Sequence, residues 1–84
     1  MFKPHKELGQ NFLTDKSVAK DMVEALDIQN GDEIVEIGPG HGVVTEFLVE
    51  KIKYLNVKIH AVELDVRLYQ ELKNFYSGNE KIEV

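Results

Sequence analysis

The chain has 84 residues, of which 43% are hydrophobic and 30% charged, with a net charge of −5 and no cysteine. This length allows at most one small domain, no apolar run approaches the ~20 residues of a membrane span, and the absence of cysteine excludes disulfides and fits a reducing cytoplasm. The acidic balance argues against tight RNA binding by this chain alone, because phosphate contacts need clustered lysine and arginine.

The first informative segment precedes the first predicted helix. It spans residues 8–15 and reads Leu-Gly-Gln-Asn-Phe-Leu-Thr-Asp. The amides of Gln10 and Asn11 can donate and accept hydrogen bonds, which suits a carboxylate or carbonyl ligand. Phe12 and Leu13 either cover an apolar part of a ligand or anchor the segment to the core.

A helix is predicted to follow this segment and to run to about Asp27. Thr14 or Asp15 is its candidate N-cap. Its apolar face is expected to comprise residues at helical spacing, namely Ala19, Met22, Val23 and Leu26.

A short strand over residues 33–37 then leads into three glycines at alternate positions, Gly38, Gly40 and Gly42. A helix follows and is predicted to end near residues 53–54. A dinucleotide fingerprint needs glycine or alanine at position 43, where Val43 stands, and a P-loop needs a lysine and a hydroxyl that are absent. The remaining pattern, E-x-G-x-G-x-G, resembles the glycine loop of S-adenosylmethionine-dependent methyltransferases. The alternative interpretation is a tight strand-to-helix turn without a ligand.

A second strand is predicted over residues 57–62 and ends at Glu63. In open α/β sheets ligands bind beyond the carboxyl ends of the strands. Glu63 is therefore predicted to accept hydrogen bonds from the ribose hydroxyls of a nucleoside, although a solvated acid near a helix N-terminus is the alternative.

The last predicted helix begins at an Asp65 N-cap and buries Leu68, Leu72 and Phe75, and a third strand begins near Ile82. Such β-α alternation predicts parallel strands in the order 3-2-1, joined by right-handed crossovers. The first strand would then have an unpaired apolar edge, so we expect the chain to self-associate through it or to be marginally folded.

Three motifs together are similar to the opening of the ribosomal RNA adenine N6,N6-dimethyltransferases. They are Leu-Gly-Gln-Asn-Phe-Leu at 8–13, Ile-Val-Glu-Ile-Gly-Pro-Gly-His-Gly at 34–42 and Ala-Val-Glu-Leu-Asp at 61–65. The resemblance implies the N-terminal part of a Rossmann-like class I methyltransferase fold, here one partial domain over residues 1–84. Family members methylate two adjacent adenines near the 3′ end of small-subunit rRNA, so rRNA and the small ribosomal subunit are the implied partners.

The resemblance also implies the contacts to S-adenosylmethionine. Asn11 and Leu13 would contact it from the N-terminal segment, and Gly38 and Gly40 would bring backbone close to its methionine and ribose portions. Glu63 would hold the ribose. For Glu36 two interpretations stay open: it meets the methionine ammonium, or it accepts N–H groups of its own glycine turn.

The family's catalytic Asn-Leu/Ile-Pro-Tyr/Phe motif does not occur, so no catalytic residue is expected here and the chain is interpreted as a truncated N-terminal piece. The three histidines give no metal-binding spacing, and His41 is expected to face solvent. Three alternatives remain: a macrolide-resistance type of large-subunit rRNA methyltransferase, a non-catalytic transcription factor derived from these enzymes, and a dinucleotide-binding module.

Overall fold

The computed structural model describes residues 16–84. Three helices alternate with three strands: α1 (Lys16–Ala25), β1 (Glu33–Ile37), α2 (Val43–Lys51), β2 (Lys58–Val62), α3 (Val66–Phe75) and β3 (Ile82–Glu83). The strands form a parallel sheet in the order β1-β2-β3, which confirms the predicted 3-2-1 arrangement and the α/β fold. The predictions for Asn11, Leu13 and the N-cap of α1 lie outside the described residues.

The register of the sheet brings the carboxyl ends of β1 and β2 level. Glu33 pairs with Lys58 and Ile37 with Val62, so the two strands end side by side. The ladder continues one step into the loop, because the Gly38 N–H donates to the Val62 carbonyl at 2.8 Å. The loops that follow the two strands therefore begin next to each other.

The core lies between the helices and one face of the sheet. Its buried members include one residue from each of α1, α2, β2 and β3, namely Val23, Leu48, Ile59 and Ile82. The segments between these elements add Ile28, Ile52 and Val57. Among residues 16–84, the opposite face of β1 is uncovered, and Val35 and Ile37 are 61% and 74% exposed. This exposure follows from the alternation of side chains along a strand.

Four sequence predictions about the helices are wrong in detail. Helix α1 ends at Ala25 instead of about Asp27, whose φ of 52° is left-handed and stops the helix. On its predicted apolar face Ala19 and Val23 are buried, whereas Met22 is 41% exposed. Leu26, 56% exposed, lies beyond the last helical residue.

The ends of α2 and α3 show the other two differences. Helix α2 ends at Lys51, two to three residues earlier than predicted. In α3 the predicted core residue Phe75 is 80% exposed, and the half-buried Tyr76 takes the position four residues after the buried Leu72. The two rings meet edge to face at 4.9 Å.

The predicted cap of α3 is confirmed. The Asp65 carboxylate accepts the N–H groups of Arg67 and Leu68 at 2.9 and 3.1 Å. Helix α2 begins instead at Gly42, which has no side-chain cap. None of the helices in residues 16–84 has the length and hydropathy needed to traverse a bilayer.

Candidate functional site

The glycine loop over residues 38–42 connects β1 to α2 and has a strongly left-handed backbone. Gly38, Gly40 and Gly42 have φ angles of 65°, 62° and 87°, a region that side chains other than glycine rarely adopt. Among residues 16–84, a Cβ at Gly38 or Gly40 would have no neighbour within 4 Å, whereas one at Gly42 would lie 3.0 Å from Leu72 Cδ2. Gly42 is thus required by packing on α3, while Gly38 and Gly40 leave open space beside the backbone.

Glu63, directly after β2, reaches across to this loop. Its Oε1 accepts the Gly40 N–H at 2.9 Å, and its Oε2 accepts the Asp65 N–H at 3.0 Å. The sequence predicted that the two strand ends meet, but not that Glu63 binds the loop backbone. Since a carboxylate oxygen has two acceptor sites, each oxygen of Glu63 keeps one for a further donor such as a hydroxyl.

Glu36, the penultimate residue of β1, faces the helices and is half-buried. Its Oε1 accepts the Thr45 hydroxyl at 2.5 Å. Burial raises the pKa of Glu36, and the bond from Thr45 lowers it in part. Glu36 does not accept the N–H groups of the three glycines in the turn that follows it. Those of Gly38, Gly40 and Gly42 donate to Val62 O, Glu63 Oε1 and Pro39 O.

Sequence reasoning missed Thr45. It is fully buried, and no other polar residue among the described residues is buried to this extent. The available signal was its position: Thr45, Leu48 and Ile52 lie at i, i+3 and i+7, so a polar residue stands in the apolar stripe of α2. A buried hydroxyl needs a partner, and Glu36 is that partner.

His41 lies where the sequence predicted, facing solvent. The His41 side chain is 81% exposed at the tip of the glycine loop, 3.8 Å from Glu71. His60 lies on the opposite sheet face from Ile59 and Ala61, with its ring nitrogens 2.9 Å from Glu33 and 3.4 Å from Glu83. His60, the central residue of β2, is thus on the sheet face opposite the helices, with Glu33 of the amino end of β1 beside it.

A cleft of about 260 Å³ lies beside the glycine loop, between α2 and α3. Its lining comprises Gly40, His41, Gly42, Glu46, Glu71, Leu72, Phe75 and Tyr76. Of the predicted cofactor residues within 16–84, Gly40 is the one that lines it. Through Gly40 the cleft adjoins the space above the two strand ends, where Glu63 contacts the loop.

Comparison with known proteins establishes the family. A sequence profile described as "Ribosomal RNA adenine dimethylase" matches residues 1–84. The chain belongs to the ribosomal RNA adenine dimethylase family. The resemblance seen in the three sequence motifs is thereby confirmed, and the dinucleotide-binding alternative is not supported.

Several relatives of this family member bear the name "Ribosomal RNA small subunit methyltransferase A". The one from Alkaliphilus metalliredigens is 41% identical over 83 residues, which cover 99% of this chain and 28% of the relative. That from Hydrogenobaculum sp. is 45% identical over 78 residues, covering 93% and 30%. That from Clostridium acetobutylicum is 49% identical over 73 residues, covering 87% and 25%. The chain thus spans between a quarter and a third of the length of these curated relatives.

Proposed function

We propose that this chain is the S-adenosylmethionine-binding part of a small-subunit rRNA adenine N6,N6-dimethyltransferase. The observation that carries the proposal is the contact between Glu63 Oε1 and the Gly40 N–H at 2.9 Å, which joins an acidic strand end to an open glycine loop. The names of the relatives support the substrate class. The proposal includes a single partial domain over residues 1–84.

The loop composition fits this cofactor better than a phosphate-containing one. S-adenosylmethionine carries no phosphate, and the loop has neither a lysine nor a hydroxyl next to Gly42. The backbone at Gly38 and Gly40 has room for the methionine and ribose portions, since a Cβ at either glycine would meet no atom of residues 16–84 within 4 Å. Val43, the first residue of α2, occupies the position where a dinucleotide fold needs a third small residue.

Each predicted side chain has a distinct task in the proposal. The free acceptor sites of Glu63 take the two ribose hydroxyls, and the Glu36 carboxylate meets the methionine ammonium. Asn11 and Leu13 contact the ligand from the N-terminal segment. S-adenosylmethionine, held by these residues, would supply the electrophilic methyl group for transfer to the adenine N6. The described residues contribute alignment of the cofactor to this step.

The proposed macromolecular partner is rRNA of the small ribosomal subunit, in the cytoplasm. The net charge of −5 gives this chain little attraction for phosphate. RNA contacts are therefore assigned to the additional length that the relatives have. Binding of the cofactor, not of RNA, is the property to test on this chain.

The test is a calorimetric titration of S-adenosylmethionine into the wild-type chain, Glu63→Ala and Glu83→Ala. Glu83 is the matched control, because it is a strand-end acid at the far side of the sheet that contacts His60 and not the loop. Each hydrogen bond to a charged group is worth about 1.5–3 kcal/mol, so Glu63→Ala should weaken binding at least about tenfold and Glu83→Ala by less than about twofold.

Glu63→Ala also removes the bond to Gly40, so a second ligand separates ribose recognition from loop positioning. S-adenosylhomocysteine and its 2′,3′-dideoxy analogue differ only in the two hydroxyls. The wild-type chain should prefer the form with hydroxyls by at least about tenfold, and Glu63→Ala should lose most of that preference. Equal preference in both proteins would remove the ribose assignment.

We also propose that the chain self-associates through the free edge of β1. Within residues 16–84, β1 pairs only with β2, so its other edge carries unpaired N–H and C=O groups. An antiparallel pairing with a second copy centred on Val35 sets Glu33 opposite Ile37 and Ile34 opposite Glu36. No two like charges then face each other, and the exposed Val35 side chains of the two copies lie side by side across the new strand pair.

Sedimentation velocity tests this self-association. Val35→Lys would place two ammonium groups opposite each other at the centre of the pairing and should yield monomer. Val62→Lys is the control, since Val62 is 43% exposed on the same face but belongs to the paired strand β2. A single monomer boundary for the wild-type chain, with a cooperative melt, would refute the proposal.

A further inference from the structure

Thr45 and Glu36 form a contact that links the first turn of α2 to the end of β1. Thr45 Oγ1 donates to Glu36 Oε1 at 2.5 Å, and Thr45 is 0% exposed. Within residues 16–84 the other oxygen, Oε2, accepts no hydrogen bond, and no buried side-chain oxygen there lacks a partner. Oε2 is therefore the oxygen of Glu36 that no donor of residues 16–84 occupies.

The hydroxyl is held rigidly. Thr45 lies three residues after Gly42, where α2 begins directly from the glycine loop, and the Gly42 carbonyl accepts the Glu46 N–H at 2.9 Å. Thr45 is in the first turn of α2, its side chain is fully buried, and a helical backbone restricts threonine to two main χ1 rotamers, so its hydroxyl has few orientations.

We propose that Thr45 is a positioning residue, whose hydroxyl fixes the Glu36 carboxylate so that Oε2 meets the ammonium group of the bound S-adenosylmethionine. This role rests on the proposed function. A carboxylate with one oxygen committed to a fixed donor has its second oxygen in a defined place, and such preorganisation removes the entropy of orienting it on binding. Thr45 itself touches no ligand.

The charges around Glu36 set how this arrangement responds to pH. From α2 the facing group is the Thr45 hydroxyl, and from β2 the register partner is the uncharged Ala61. Tyr76, the residue after α3, interacts electrostatically with Glu36. Burial raises the pKa of the Tyr76 hydroxyl, and the carboxylates of Glu46 and Glu36 raise it further. Tyr76 thus stays neutral near pH 7 and does not stabilise the ionised Glu36.

Ionised Glu36 attracts an ammonium group, and protonated Glu36 does not. Affinity should therefore fall as the pH decreases through the pKa of Glu36, which burial already raises above its ordinary value. Removing the Thr45 bond removes the one interaction that lowers this pKa. In Thr45→Val the loss of affinity should then occur at higher pH than in the wild-type chain.

The experiment compares two ligands, S-adenosylmethionine and 5′-methylthioadenosine, which lacks the amino-acid portion. Each is titrated between about pH 5 and about pH 8 into the wild-type chain, Thr45→Val and Thr45→Ser. Thr45→Val is nearly isosteric but has no donor, whereas Thr45→Ser keeps the donor. We expect Thr45→Val to weaken S-adenosylmethionine about tenfold at neutral pH and to leave 5′-methylthioadenosine within about twofold. Thr45→Ser should recover most of the affinity.

The outcomes are distinct. Suppose that the wild-type chain binds S-adenosylmethionine and that Thr45→Val has the same ligand preference and the same pH midpoint. That result overturns the positioning role alone. Equal weakening of both ligands does so too, because that is the effect of general destabilisation. Absence of binding by the wild-type chain overturns the proposed function together with this role. Thr45→Ala, which leaves a small void, provides the same readout if Thr45→Val does not fold.

Discussion

Lys81, the residue before β3, closes the carboxyl end of α2. Its Nζ donates to the carbonyl oxygens of Ile52, Lys53 and Leu55 at 3.2, 2.8 and 2.8 Å. These acceptors lie in the turn that begins at Ile52, the C-cap of α2, next to the negative end of the helix dipole, and the Ile52 carbonyl also accepts the Leu55 N–H. One ammonium group thus satisfies three acceptors and ties the β3 end of the sheet to α2.

The magnitude follows from these contacts. A hydrogen bond that involves a charged group contributes about 1.5–3 kcal/mol, and a cation at a helix C-terminus about 0.3–1 kcal/mol. The bond to Lys53 is exposed while the other two are partly buried, so water can replace only part of what Lys81 provides. We expect Lys81→Met, which retains the apolar stem, to lower the free energy of unfolding by about 2–3 kcal/mol. For a domain of this size that lowers Tm by about 10 °C or more.

Urea unfolding followed by circular dichroism measures this difference, with Lys53→Met as the matched control. Lys53 lies at the same end of α2 but makes only exposed contacts among the described residues, an ion pair with Glu50 at 3.8 Å and a cation–π contact with the Tyr54 ring at 5.8 Å. Such surface pairs contribute about 0–1 kcal/mol. If the two variants lose the same stability, the effect is loss of a surface charge, and the capping role of Lys81 is refuted.

Three further predictions concern stability. Gly42→Ala should destabilise the chain by about 1–3 kcal/mol in urea unfolding, since its Cβ would lie 3.0 Å from Leu72 Cδ2 at a φ of 87°; an unchanged midpoint would contradict this. Asp65→Ala removes the cap of α3 and should cost about 1 kcal/mol, whereas Asp65→Asn should cost less. Because burial raises the pKa of Glu36, the folded wild-type chain should lose stability as the pH rises from about 4.5 through that pKa. Glu36→Gln should lack this loss and be the more stable protein at neutral pH.

The fold was predictable because its local signals agree with one another. Alternation of β and α patterns, the glycine turn and the Asp65 cap each specified an element that the structure contains. The errors concern positions that tertiary packing decides. Phe75 and Tyr76 are adjacent aromatic residues in a region of helical periodicity, and which of them enters the core depends on how α3 crosses the glycine loop.

The sequence predicted which strand ends form the candidate site, but it did not predict the hydrogen bonds between the residues there. The spacing of Gly38, Gly40 and Glu63 along the chain indicates that they meet at one edge of a parallel sheet. It does not indicate that Glu63 accepts the Gly40 N–H, or that Thr45 is the donor to Glu36. Lys81 was likewise missed, since its acceptors lie 26 to 29 residues away in the chain.

The two acids of the site are stabilised to different extents, and this difference has a functional consequence. Glu63 accepts two backbone N–H groups, so its charge is compensated without a ligand. Glu36 has one hydroxyl donor in partly buried surroundings that raise its pKa, so its charge is incompletely compensated. A ligand ammonium beside Glu36 would supply the missing countercharge. At equal saturation, a ligand with that group should therefore raise Tm more in the wild-type chain than in Glu36→Gln, while 5′-methylthioadenosine should raise both equally. Equal shifts with S-adenosylmethionine would show that the charge of Glu36 serves neither binding nor the stability of the complex.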